Sequence, residues 1–351
     1  MQNKLLKLNT ENIVMIGLFL ILLIYPLMTT AYDVLNLSYF LTMVLLSISV
    51  SLVWGYGGIF SFGQALFFGL SGYFYAILTM NINNAQFNFI ALMIGVLFGA
   101  LIATVIGYFI FYGGINDVFV GLITLCLAVG IETFLAQTAG PQWKIGNILL
   151  GGFNGINGIP TIQVGSFVLQ GNSLYYFILL VIIAVFVGIK YLMITRYGYA
   201  LIAIRENRDR TQLLGYNVPK YQLAVFALGG AIAALGGILY AIWGSYLTPA
   251  TLNLTAATLP IVLVAAAGRK NLSAGIIFTL IYYWGSQQLA ASGNQYALII
   301  LGVVLIVVML YVPNGIIQTL FSLSDKGVSS LYQQLQKNPK KRGALQDAST
   351  K

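Results

Sequence analysis

Apolar residues run through this chain in long unbroken stretches and do not alternate with polar ones; "IILGVVLIVVML" (299–310) is one of them. A helix needs about 20 apolar residues to cross roughly 30 Å of hydrocarbon at about 1.5 Å per residue. Segments near or somewhat below that length recur at 13–28, 35–53, 58–80, 89–112, 118–137, 173–193, 221–243, 256–268, 272–291 and 296–312. The pattern predicts an all-α, polytopic transmembrane helical bundle of about ten spans. A transmembrane β-barrel needs short alternating strands and is excluded by runs of this length. Glycine interrupts the pattern at "WGYGGIFSFG" (54–63), so 54–80 also reads as a broken or re-entrant segment. Irregular backbone survives at membrane depth only where protein or a water-filled path surrounds it.

The polar remainder divides the chain into a short N-terminus (1–12), a transmembrane domain (13–318) with a long connection at 138–172 and another at 195–220, and a basic tail (319–351). Only 7% of the 351 residues are charged, with 17 Lys and Arg against 8 Asp and Glu, and 59% are hydrophobic. If Lys4 and Lys7 lie in the cytoplasm, ten spans place 194–220, 269–271 and 313–351 on the same side, leaving only Lys144 beyond the membrane. That is the asymmetry expected of a correctly counted chain. It implies a membrane protein with both termini cytoplasmic. The basic start and apolar run of 1–28 also suit a signal peptide. The run is longer than most such segments and no clean small-x-small site follows, which favours a retained helix, although cleavage would leave every later loop on the same side. The tail, with Lys337, Lys340, Lys341 and Arg342, reads as a solvated segment, with attraction to anionic headgroups of about 1 kcal/mol per basic residue as the sharper alternative.

Chemistry narrows the function. One cysteine, Cys126, and no histidine leave no thiolate cluster and no imidazole, so no metal-ligating or catalytic residue is assigned. A phosphate loop of the G-x-x-x-x-G-K-[ST] kind is missing. Within the spans only Glu132 and Asp117 are near enough to serve proton coupling, and Glu132 is expected to pair with a polar group on a neighbouring helix. The chain has no constellation for an enzyme and no feature directed at nucleic acid. If it transports, another chain supplies the energy, and an ion-coupled transporter or channel is the weaker alternative.

Three segments carry the candidate chemistry. "RENRDR" (205–210) concentrates five charges in six positions, and burying them would cost about 2.5–3.5 kcal/mol each at mid-bilayer, so this stretch faces water. It reads as a short helix with apolar ends, Leu201, Ile202 and Ile204 before and Leu213 and Leu214 after, that anchor it on the membrane domain. Gly215 is placed as a left-handed cap, and the pairs Arg205–Asp209 and Glu206–Arg210 fall at i,i+4. The exposed centre is a docking surface for a soluble protein. The glycine-rich break with Gly55, Tyr56, Gly58, Ser61, Gly63 and Gln64 is the candidate lining of a translocation path. In the connection, "GGFNGINGIP" (151–160), with Gly151, Gly152, Asn154 and Gly155, is a candidate gate or docking element. Gly229, Ala233 and Gly237, with Gly230 and Ala234, have the spacing that lets helices approach closely. A faint echo between "GGIFSFGQALFFGLSGY" and "GGAIAALGGILYAIWGSY" (229–246) suggests an inverted repeat.

The stretch "RYGYALIAIRENRDRTQLLGYNVPKYQLAVFALGGAIAALGGILYA" (196–241) resembles the cytoplasmic-loop region of ABC-importer permeases of the branched-chain amino-acid family, LivM type. "LVWGYGGIFSFGQALFFGLSGY" (52–73) is similar to that family's Gly-rich segment, "GGFNGINGIP" to its outer loop and "YVPNGI" (311–316) to its closing Pro-x-Gly turn, so the likeness covers roughly 40–318. The chain departs from the pattern at Gln64, where the family often has His; at Arg208, Asp209, Arg210 and Thr211, where alanines are usual; and at "AAAGRKNL" (265–272), where a glycine-richer turn is usual. The resemblance implies a type II importer-like permease subunit of a prokaryotic cell membrane that binds no cofactor itself. It implies a second permease subunit, two cytoplasmic ABC ATPases that use ATP and Mg, and an extracellular substrate-binding protein, all set in the lipid bilayer. The loop would be the coupling helix, with Arg205, Glu206, Asn207, Arg208, Leu214 and Gly215 at the ATPase. Branched-chain or other hydrophobic amino acids are the implied substrate, and urea or short amides the alternative.

Overall fold

The computed structural model describes residues 10–115, 117–293 and 296–325. Lys4, Lys7 and the basic cluster Lys337, Lys340, Lys341 and Arg342 lie outside the described residues, as does the side chain of Asp117. The described helices are α1 (Thr10–Met28), α2 (Ala31–Val50), α3 (Gly63–Ile82), α4 (Asn88–Tyr112), α5 (Asp117–Ala136), α6 (Asn172–Met193), α7 (Arg196–Glu206), α8 (Arg208–Leu213), α9 (Val218–Gly244), α10 (Leu254–Ala267), α11 (Leu272–Ala291), α12 (Ala297–Tyr311) and α13 (Ile316–Asp325). Local chemistry sets the starts. Thr30 and Asp33 form a reciprocal capping box at α2, and the side chains of Asn217, Asn253 and Asn271 accept from the first-turn amides of α9, α10 and α11.

Among the described residues, seven helical segments are long and apolar enough to cross a membrane, and up to nine if each of two bent pairs is one span. The sequence pattern led to about ten because 256–268 and 272–291 read as two complete spans. In the structure α10 has 14 residues and folds back into α11 through a bend of 117°. At 1.5 Å per residue α10 reaches only about 21 Å, short of the hydrocarbon thickness. Its late start has a local cause. The chain leaves α9 at Ser245, runs extended through Tyr246–Leu247 and makes a 3₁₀ turn at Pro249–Leu252, and helix resumes only after Asn253. The expected span 58–80 is shifted as well. α2 continues as a π-helical turn over Ser51–Tyr56, and α3 begins at Gly63 after an irregular stretch.

Helix α9 is the centre of the bundle, packed on α2, α3 and α4. Its small residues permit that. Ser49 Oγ donates to the Gly229 carbonyl at 2.7 Å, and a Cβ on Gly237 would run into the Phe68 carbonyl. Ala233 and Ala234 are fully buried. The spacing at 229–237 therefore serves close packing. Phe67 meets Phe226 with ring centroids 5.5 Å apart, while Gly72 lies against Gly237 and Leu247, so α3 and α9 run in the same direction. The two echoing segments are thus not related by inversion.

The bundle has a basic end and an opposite end. At the basic end Glu11 pairs with Lys190 and accepts from Ser273 Oγ at 2.6 Å, tying α1 to α6 and α11. Lys144 is the one basic residue at the opposite end among those described. There the long connection departs from pure helix, with short antiparallel pairs at 144–145/148–149 and 163–164/167–168. A third pair joins Ile156–Asn157 to Tyr246–Leu247, beside the break between α9 and α10.

Candidate functional site

The charged stretch is two helices where the pattern of residues predicted one. Asn207 has φ −159° and ψ 104°, ending α7 and opening α8, and its Oδ1 accepts from the Arg210 amide at 2.9 Å. This break separates the expected i,i+4 partners, so neither Arg205–Asp209 nor Glu206–Arg210 is an ion pair. Arg205 instead donates to Glu206 Oε1 at 2.8 and 3.2 Å and sends its remaining arm inward to the Gly55 carbonyl at 2.6 Å. Lys270 joins the same Glu206 oxygen at 3.3 Å. These hydrogen bonds, from Arg205 first and Lys270 second, hold the exposed Glu206 carboxyl below its usual range.

The C-terminal end of α8 also turns the other way from expectation. Leu213 and Leu214 do not anchor on the membrane domain but are 87% and 77% exposed. Gly215 has φ +86°, and its amide bonds to Gln212 O while Tyr216 N bonds to Thr211 O. That pair of bonds closes a helix in the left-handed conformation glycine adopts without penalty. Thr211 is buried and its Oγ1 donates to Asn207 O at 2.8 Å, so the inner face of α8 is pinned while Leu213 and Leu214 are free on the surface. Of the six candidate contact residues, Arg205 faces inward, Glu206 is shared with Lys270, Asn207 is the double cap, Arg208 is half-buried at the start of α8, Gly215 is the closing turn, and Leu214 stands out from the surface.

The path candidates separate into three settings. A side chain at Gly55 would collide with the Arg269 carbonyl, and Gly58, at φ +73°, lies under the Arg205 side chain, with Tyr56 half-buried between them in sequence. Gly55 and Gly58 are thus packed against Arg269 and Arg205. Ser61 and Gly63 form a sealed turn: Gly63 N donates to Ser61 Oγ at 3.0 Å, and Phe62 N donates to Thr124 Oγ1 of α5 at 3.1 Å. Gln64 is buried, and its amide makes no hydrogen bond within the described residues. Residue types alone missed Trp54, whose ring carries the Arg269 guanidinium at 5.4 Å, and Lys270. Their signal was present as "RK" at a hairpin tip, a second basic pair at the same end as "RENRDR". Glu132, by contrast, has no partner on another helix among the described residues; Thr133 Oγ1 donates to it at 3.4 Å in the same turn.

At the opposite end the connection packs onto the bundle. Gly155 approaches the Leu247 carbonyl and Gly152 approaches Ala139, while Gly158 N and Ile159 N both donate to Ser245 O, at 2.8 and 3.1 Å. Gly151 lies against Gly155 within the same turn. Three of the four candidates there are thus spent on closing the turn over the break after α9. Asn154 is exposed beside Phe153, which is 74% exposed.

Comparison with known proteins places this arrangement. Residues 34–309 match the family model described as branched-chain amino acid transport system, permease component. The chain is similar to the "Probable branched-chain amino acid transport permease protein LivM" of Methanocaldococcus jannaschii, 23% identical over 321 residues that cover 78% of this chain and 89% of the relative. No solved structure gives a significant match. A family match over most of the chain, on a bundle of apolar helices, makes this protein a member of the branched-chain amino acid transport system permease family and a multi-pass membrane permease subunit of an ABC transporter.

Proposed function

We propose that the chain forms the translocation path for branched-chain or other hydrophobic amino acids in an ATP-driven importer and receives its energy through α8. The observation that carries this reading is the exposed Leu213–Leu214 pair, set beside Arg208 and Arg210 on a short helix whose inner face is pinned at Thr211. Apolar side chains flanked by charge at the basic end suit the cleft of a soluble protein. With the basic end in the cytoplasm, as the positive-inside rule requires, that protein is the ATPase, which binds ATP and Mg; this chain performs no hydrolysis. A second permease subunit, a pair of ATPases and an extracellular binding protein complete the assembly, and Phe153 and Asn154 offer the surface for the last of these. The substrate class is carried over from the similar archaeal permease.

ATPase closure then acts on α8, and Asn207 passes the movement to Arg205, Gly55 and the hairpin at Lys270. Such coupling requires the ATPase to bind one conformation of the membrane domain more tightly than the other. Leu213→Asp together with Leu214→Asp is the test. It should leave the folded permease intact and lower ATPase copurification and ATP-dependent leucine uptake by at least about 30-fold, the scale of one interface hot spot. Retained association and uptake would remove α8 as the coupling element. Uptake driven by a proton gradient without ATP would remove the importer reading, and uptake of urea in place of leucine would change the substrate.

A further inference from the structure

A groove of about 410 Å³ runs between α1, α2 and α11. Its depth in the bundle follows from how these helices are tied. Ser273 donates to Glu11 at the basic end, and α1 and α11 both run away from that contact. At 1.5 Å per residue Leu280 lies about 10 Å and Gln288 about 22 Å along α11 from Ser273, so the groove occupies the half of the bundle away from the basic residues. Ile21, Ile281 and Trp284 on its rim are exposed, and it opens sideways toward lipid. The wall changes along its length. Leucine, isoleucine and phenylalanine line the part nearer mid-membrane, whereas Tyr25, Asp33, Gln287 and Gln288 come from the last turns of α1 and α11 and the first turn of α2. Asp33 is the one charged side chain in this lining. Its Oδ2 accepts from the Thr30 amide and hydroxyl at 3.3 and 2.7 Å. Among the described residues its Oδ1 accepts no hydrogen bond and no cation pairs with the carboxylate.

We infer that this groove holds a membrane phospholipid whose head carries a primary ammonium group, with the ammonium on Asp33 and the part of one chain nearest the head in the apolar trough. The site is separate from whatever solute the permease carries. The chain does not select the lipid, because lipid tails are as apolar as leucine and gain little by exchanging one such neighbour for another. Selection falls to the head. A carboxylate near the edge of the hydrocarbon, with one oxygen uncommitted and no cation supplied by the protein, is complementary to a lipid ammonium. The N–H groups of a primary ammonium reach that oxygen in a charge-assisted hydrogen bond, which a trimethylated nitrogen does not form. The phosphate of the same head also finds donors, since the side-chain amides of Gln287 and Gln288 and the Trp284 indole bring N–H groups to this part of the groove. An anionic head without an ammonium would meet the Asp33 charge with no cation beside it.

The test exposes the assembled transporter in detergent to an equimolar mixture of phosphatidylethanolamine, phosphatidylcholine and phosphatidylglycerol and weighs the lipid retained on the permease subunit by native mass spectrometry. Phosphatidylethanolamine should be retained over each of the other two by about tenfold, the scale of one charge-assisted hydrogen bond. Asp33→Asn keeps an oxygen for the Thr30 cap and removes the charge, so it should assemble and retain the three lipids about equally. Ile281→Trp, at an exposed position on the rim, narrows the trough without touching the cap and should lower retention of phosphatidylethanolamine by several-fold. Equal retention of the three lipids by the unmodified protein means ordinary boundary lipid only and overturns the site. A preference that survives Asp33→Asn overturns it as well, and if that variant does not assemble, unchanged retention by Ile281→Trp does so. Equal retention of the choline and ethanolamine lipids, with phosphatidylglycerol excluded, overturns the hydrogen bond to Oδ1 as the basis of selection.

Discussion

Two interruptions of helix lie at opposite ends of this bundle, and they are finished differently. At the basic end α2 unwinds through a π turn at Ser51–Tyr56, and the break is packed by its neighbours: the Gly55 carbonyl is met by Arg205, the Trp54 ring by Arg269, and the 61–63 turn by Thr124. At the other end the chain between α9 and α10 unwinds through Tyr246–Leu252 and leaves a hollow lined by threonine, asparagine and tyrosine. The first break is a solid joint that ties α7 to the α10–α11 hairpin through Glu206 and Lys270. The second is open and uncharged. Irregular backbone inside a membrane protein must be surrounded by protein or by a polar cavity, and this molecule uses one solution at each end. Glycine content alone does not distinguish them, because the glycine-rich break is the one that is full.

The solid joint should be intolerant of volume. Gly55→Val drives a side chain into the Arg269 carbonyl, and overpacking of this kind costs about 1–3 kcal/mol or more. A large drop in the thermal unfolding temperature in detergent is expected. If Gly55→Val unfolded no earlier than Thr251→Val in the cavity wall, the contrast between filled and hollow breaks would be wrong.

Removing the arginine from the same joint comes next. Arg205→Ala strands the Gly55 carbonyl, a charge-assisted bond worth about 1.5–3 kcal/mol. Arg205→Lys should recover only part of the loss, since an ammonium cannot serve Gly55 and Glu206 with one planar fork. Equal stability of the alanine and wild-type proteins would show that the joint does not depend on this side chain.

The smallest effect concerns Glu206. Its carboxyl is held below the usual range near 4.5, so its attraction to Arg205 and Lys270 is present above that pH and is lost as pH falls through the lowered value. The group is exposed, so salt screens the interaction and Glu206→Gln should shift stability little at neutral pH. Unfolding temperatures measured across the acidic range should bring variant and wild type together as the carboxyl protonates. A gap that widens toward low pH would reverse the assigned sign.

Much of this was readable from residues in order. Run length marked the bundle because crossing hydrocarbon is a property of a single helix. Charge cost placed "RENRDR" at the surface for the same reason. The left-handed turn at Gly215 follows from a few neighbouring residues and glycine's freedom. Long-range partners were not readable. Arg205 reaches a carbonyl 150 positions away, and nothing near it indicates that α2 will present one. Asn207 can sit inside a helix or between two, and the break is favoured here because Arg205 turns inward to Gly55 while Thr211 is buried. The outward turn of Leu213 and Leu214 follows from that break, which rotates α8 relative to α7.

By itself, then, the sequence determined a multi-span helical membrane protein with one basic end, because hydrophobic run length and charge burial are local free energies summed along the chain. The tertiary structure decided which break is filled and which is hollow, which way the charged helix faces, and that α10 is short. Those outcomes depend on what each backbone group meets across the bundle. A glycine, an arginine or a leucine has the same local preferences whether that partner is a carbonyl, a ring or solvent.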